Sequence, residues 1–158
     1  MAQFDSVNKA LADNIKGEKI APGEHHGKMH VMYDSYTLAA DLAVNDEILL
    51  ADLPEGAKLL DAVVKSPSLG TTGILEMGIK ASEDRDGNTL AEDSDYLVDS
   101  ADAGGQAVFA RMGASAANLE PGFGVTLGQA TQPYLLCTEA SDAGTGVKIE
   151  VAIYYSLY

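Results

Sequence analysis

Val147-Lys148-Ile149-Glu150-Val151-Ala152-Ile153-Tyr154-Tyr155-Ser156-Leu157 alternates without a break. Ile149, Val151, Ile153, Tyr155 and Leu157 fall on one side, and Lys148, Glu150, Ala152, Tyr154 and Ser156 on the other. Successive side chains of a strand point to opposite faces, so a period of two predicts a half-buried strand with Tyr155 inward and Tyr154 at the sheet surface. Residues 74–81 repeat the pattern, with Leu75, Met77 and Ile79 against Glu76 and Lys80. Residues 58–65 set Leu60, Ala62 and Val64 on one side and stop before Pro67. Shorter apolar or β-branched runs lie at 30–40, 46–52, 107–112, 123–128 and 134–138. Turn chemistry separates them, notably Leu53-Pro54-Glu55-Gly56 and Asp84-Arg85-Asp86-Gly87-Asn88.

About eight short strands joined by Gly, Pro, Asp and Asn turns predict an all-β fold, an antiparallel two-sheet β-sandwich of jelly-roll type. The missing long helices argue against a parallel sheet, whose crossovers need room. At most two short helices are expected. One lies within 93–103, ended by Gly104-Gly105, and one lies in an N-terminal arm, residues 1–28. The sandwich then spans 29–158. Its expected core is Leu60, Val64, Leu75, Met77, Ile79, Phe109, Val125, Leu127, Leu136, Ile149, Val151 and Ile153. In the arm, Phe4, Val7, Leu11 and Ile15 recur at helical spacing, while Gly17, Pro22 and Gly23 stop a longer helix. Too few apolar residues remain there for a core of its own, so these four are candidate interface residues. Tyr154 and Tyr158 join them, because tyrosine is enriched where subunits meet.

Ten Lys and Arg against 24 Asp and Glu give the 158 residues a net charge of −14. Such a field repels phosphate backbones and anionic lipid surfaces, so neither nucleic acid nor a membrane is an expected partner. Trp is absent and aromatic residues make up 6%, which leaves no stacking platform for sugars or bases. The opening MAQFDSVNKALADNIKGEK lacks the apolar centre of a signal peptide, so synthesis in the cytoplasm is expected. Cys137, the one cysteine, sits in the apolar run Tyr134-Leu-Leu-Cys-Thr138 and reads as a small core residue.

Chemistry-bearing constellations are few. His25, His26 and His30 offer imidazoles for a transition metal, but no carboxylate or thiol stands at ligand spacing. Asp84 and Asp86 resemble part of a calcium loop. The turn lacks the first aspartate and the closing bidentate glutamate of an EF-hand, and a strand-to-strand turn explains it. No nucleophile elbow or Cys–His pair is present, and Gly70-Thr-Thr-Gly73 is not followed by the Lys-Ser/Thr of a phosphate loop. The expectation is a protein that is not an enzyme and needs no cofactor or metal. A cupin-type metal enzyme built on His25, His26 or His30 is the remote alternative.

Three segments carry a resemblance: Tyr33-Asp-Ser-Tyr-Thr-Leu-Ala-Ala40, Asp46-Glu-Ile-Leu-Leu-Ala-Asp-Leu-Pro-Glu-Gly-Ala-Lys-Leu-Leu-Asp-Ala-Val-Val64 and Gly73-Ile-Leu-Glu-Met-Gly-Ile-Lys-Ala81. A strand leading into Leu-Pro-x-Gly-Ala, a second strand, then a Gly-bearing strand and an acidic loop resembles the head decoration (cement) proteins of tailed bacteriophages. The resemblance covers about residues 30–100 and carries no catalytic signature. It implies a jelly-roll subunit that self-associates, typically as a trimer, on the outer surface of the capsid, with the major capsid protein shell as partner. It implies a virion location after synthesis in the host cytoplasm, and an arm free to reach a sister subunit or the shell. A tail- or fibre-associated β-sandwich of the virion is the alternative.

Overall fold

The computed structural model describes residues 28–83, 86–113 and 124–157. Ten strands follow in chain order: β1 (Met29–Thr37), β2 (Glu47–Leu49), β3 (Lys58–Ser66), β4 (Ile74–Ile79), β5 (Ser82–Glu83), β6 (Thr89–Leu90), β7 (Asp93–Asp102), β8 (Val108–Arg111), β9 (Pro133–Glu139) and β10 (Lys148–Ser156). Every pairing between them is antiparallel. One four-stranded sheet runs β1-β10-β3-β8 and the other β2-β9-β4-β7, while β5 and β6 form a separate small hairpin. With that hairpin set aside, the eight remaining strands interleave as two Greek keys, which is the strand order of a jelly roll. The sandwich read from the alternation is therefore present, with a jelly-roll order that strand count alone did not dictate. Asp86-Gly87 lies in the β5–β6 connection, and Gly87 takes a positive φ of 82°, as an Asp-Gly turn requires.

β10 keeps the predicted alternation as far as Ile153, with Ile149, Val151 and Ile153 buried; beyond it Ser156, expected outward, is buried and Tyr155 is only half-buried. It pairs with β1 over nine residues in unbroken register, Met29 opposite Ser156 and Thr37 opposite Lys148. The ends of the described domain thus lie side by side. Between the sheets, Val64, Leu75, Met77, Ile79, Leu127, Ile149, Val151 and Ile153 are buried as expected. Leu53, Leu59, Leu69, Leu97 and Leu135 complete the space. The thiol of Cys137 is also buried and donates a hydrogen bond to the Glu139 carbonyl at 3.1 Å.

Four expected core residues lie elsewhere. In β3 the register skips Leu60: Tyr154 faces Asp61 while Tyr155 faces Leu59. Such a bulge inserts a residue and reverses the parity beyond it. Leu59 therefore points inward with Ala62, and Leu60 is only half-buried, lining a groove on the outer face. In β8 the inward residue is the small Ala110, which leaves Phe109 67% exposed. In β9 Leu135 and Cys137 point inward, and Leu136 stands outward between Glu47 and Glu76. Val125 is half-buried in a segment outside the named strands, where its carbonyl accepts a hydrogen bond from the Leu59 amide at 2.8 Å.

The expected helix at 93–103 is instead β7. It pairs with β4 through two register shifts, between Leu75 and Met77 and between Met77 and Ile79. Tyr96, Leu97 and Val98 are buried in succession, which erases a period of two from the sequence. Gly78 makes this crossing possible, since a Cβ there would lie 2.1 Å from the Asp93 carbonyl oxygen. Among the described residues there is no helix. Phe4, Val7, Leu11, Ile15, His25, His26, Asp84 and Tyr158 lie outside the described residues.

Candidate assembly interface

The sequence gives β1 no lysine, no proline and no bulge, the devices that usually protect an edge strand. β1 ends its sheet, and alternation turns Met29, Val31 and Tyr33 outward, 63%, 49% and 59% exposed. Beside them β10 presents Ala152 and Tyr154, β3 presents Val63, and β8 presents Phe109. The result is an apolar strip crossing all four strands of the outer face. Two shallow grooves run along it, of about 480 and 300 Å³. Tyr154 and Phe109 line both, and Met29 and Leu60 belong to the larger. A contiguous exposed apolar patch of this kind marks an interaction surface.

The charged side chains that flank the strip are paired. Glu150 accepts hydrogen bonds from the Tyr33 hydroxyl at 2.6 Å, from Lys65 at 3.0 Å and from Lys148 at 3.2 Å. Those three donors hold its carboxyl at about pKa 2, well below the ordinary 4.5. The Arg111 Nε donates to Asp61 Oδ2 at 2.6 Å, an exposed pair across β8 and β3. Three cations thus meet two carboxylates.

The outer face of the second sheet differs. Glu76 accepts a hydrogen bond from the Ser94 hydroxyl at 2.8 Å. Burial nevertheless raises its pKa, and the nearby Asp95 and Asp99 reinforce the shift. Asp93 is also raised, first by sharing a hydrogen bond with Asp95 and then by burial. At the far end Lys80 is clamped between Glu47 and Glu92, at 2.7 Å each, and lies 4.1 Å above the Tyr134 ring. Burial and Glu92 push the Tyr134 hydroxyl up to about 12.

The sequence-derived candidates separate on this framework. Tyr154 stands on the apolar strip. His30 is half-buried, and its ring stacks on Tyr155 with centroids 5.5 Å apart. Among the described residues no group of three His, Cys, Asp or Glu side chains is placed to hold a metal. Met29, Val31, Tyr33 and Phe109 were not legible as surface residues. The signal that could have found them is the matched parity of β1 and β10, which turns the odd residues of β1 outward together with Tyr154.

No protein-family model matches the chain, and no curated protein matches it. Solved structures do. The chain is similar to a chain of the Cyanophage Pam1 capsid asymmetric unit, with TM-score 0.59 and 17% identity over 92% of this chain and 97% of that one. It is similar to a chain in the capsid of Ralstonia phage GP4, with TM-score 0.55 and 17% identity over 94% and 96%. A third likeness is to a chain of the acidic stable capsid structure of Helicobacter pylori bacteriophage KHP30, with TM-score 0.51 and 14% identity over 84% and 90%. The fold is one that phage capsids contain. Each likeness runs nearly end to end on both chains, so a whole architecture is shared and not a common sheet motif.

Proposed function

We propose that this chain is a bacteriophage virion structural protein that binds the outer surface of the capsid and stabilises it as a decoration (cement) protein, without catalysis. The observation that carries the reading is the end-to-end likeness to chains of three phage capsids. The Leu-Pro-x-Gly-Ala phrase at residues 53–57 agrees with it. A net charge of −14 suits the outside of a shell, away from packaged nucleic acid. The subunit is proposed to assemble as a homo-oligomer, a trimer by resemblance, on the major capsid protein shell after synthesis in the host cytoplasm. A partner that binds only the closed shell opposes its opening by mass action, so stabilisation needs no chemistry.

The test is removal and restoration. Particles made without the protein should lose integrity at a lower temperature than complete particles, and purified protein added back should restore the difference and appear as density outside the shell. Equal heat resistance of the two particle types would overturn the cement role. Density on the tail or fibres would move the reading to a tail-associated sandwich.

A further inference from the structure

We infer that the apolar outer face of β1-β10-β3-β8 is covered in the free subunit by residues 1–27 of the same chain. The face needs a cover: Met29, Val31, Tyr33 and Phe109 are all more exposed than side chains of their size usually are. The segment has a matching need. Phe4, Val7, Leu11 and Ile15 fall on one side at helical spacing, and nothing else in residues 1–27 is apolar enough to bury them.

Position joins the two. The segment enters the described domain at Lys28 and Met29, and Met29 itself lines the larger groove. The stretch between Ile15 and Met29 spans roughly 40 Å when extended, against about 15 Å across four strands, so the tether reaches every part of the face. Gly17, Gly23 and Gly27 allow the reversal that this path requires.

Charge and concentration select the occupant. A second copy would bring a net −14 towards the face. Residues 1–27 carry three lysines against four carboxylates, close to neutral, which suits a face where Lys65, Arg111 and Lys148 already have acidic partners. A tethered segment also acts at an effective concentration near the millimolar range, well above that of a free copy in solution. This docking is a property of the free subunit and does not depend on a role in the virion.

Limited trypsin cleavage at Lys9 and Lys16 of the full chain, followed by mass spectrometry, tests it. Val31→Glu with Phe109→Glu charges the face at exposed positions, and Phe4→Asp with Leu11→Asp charges the segment. Either pair should speed cleavage about ten-fold, because the docked segment must open before it is cut. An unchanged circular dichroism spectrum and thermal midpoint confirm that each variant folds. The rate for the unmodified chain should not vary with protein concentration. Unmodified chain cut as fast as both variants would overturn the docking, and so would protection that survives the face variant. Protection that appears only as concentration rises would assign the face to a second copy.

Discussion

The two outer faces of the sandwich answer the same composition in opposite ways. On β1-β10-β3-β8 the charges are consumed in pairs around Glu150 and Asp61, and apolar side chains take the space between them. On β2-β9-β4-β7 burial, with Asp95 and Asp99 nearby, raises the proton affinity of Glu76, and a hydrogen bond shared with Asp95, then burial, raises that of Asp93. A chain of −14 thus concentrates its repulsion on one side and frees the other for contact. Net charge alone does not reveal this division, because it arises from which strands the topology makes neighbours.

The sharpest way to break the acidic side is Gly78→Val. The new side chain would strike the Asp93–Ser94 backbone, which has no flexible end to move aside. The expected outcome is a loss of about 3 kcal/mol or more, or no folded protein, read by urea denaturation. A smaller effect separates core from contact face. Ile153→Ala should cost about 2–5 kcal/mol, since the side chain is fully buried between the sheets. Phe109→Ala should cost much less, no more than about 1 kcal/mol, because the sandwich itself leaves the ring 67% exposed and only the docked segment would cover it. Equal losses for the two would show that Phe109 is packed as tightly as a core residue and contradict its place on the outer face.

The smallest effect is the most diagnostic of the contrast, because the faces should respond to pH with opposite sign. Glu76 and Asp93 bind protons more readily in the folded state. The stability gained from them therefore grows as pH falls from neutrality through their raised values, and is complete below the ordinary 4.5 and 3.8. Glu150 is held at about 2, so its contribution is full above 4.5 and is lost as pH falls towards 2. Urea midpoints measured across this range should rise on mild acidification and then fall. Glu76→Gln should shrink the rise, with relief of overall self-repulsion still contributing, and Glu150→Gln should shrink the fall. A Glu76→Gln variant with the parent's acid limb and an unchanged rise would contradict the crowding at that face.

Much of the sandwich was legible because residues 149–153 of β10 and 74–77 of β4 alternate and lie between two neighbouring strands, so there alternation maps onto burial. β3 was misread at Leu60 because a bulge has no signature in the residues themselves. It depends on the partner strand, where Tyr154 and Tyr155 straddle the shift. β7 resembled a helix because two register shifts bury Tyr96, Leu97 and Val98 consecutively. Phe109 was placed in the core on size, yet the inward position of β8 belongs to Ala110. Of the apolar strip, only the outward position of Tyr154 could be read from the sequence. Met29, Val31 and Tyr33 acquire their meaning from pairing with a strand over a hundred residues away.

The antiparallel pairing of the domain's first and last strands, Met29 beside Ser156, also has a mechanical side. A load applied between the two ends would act across the ladder and open its hydrogen bonds one after another, like a zipper drawn from one tooth. Strands loaded along their length must instead break many bonds together. The domain therefore yields most easily at its ends, where a pull on Met29 and Ser156 would peel β1 from β10.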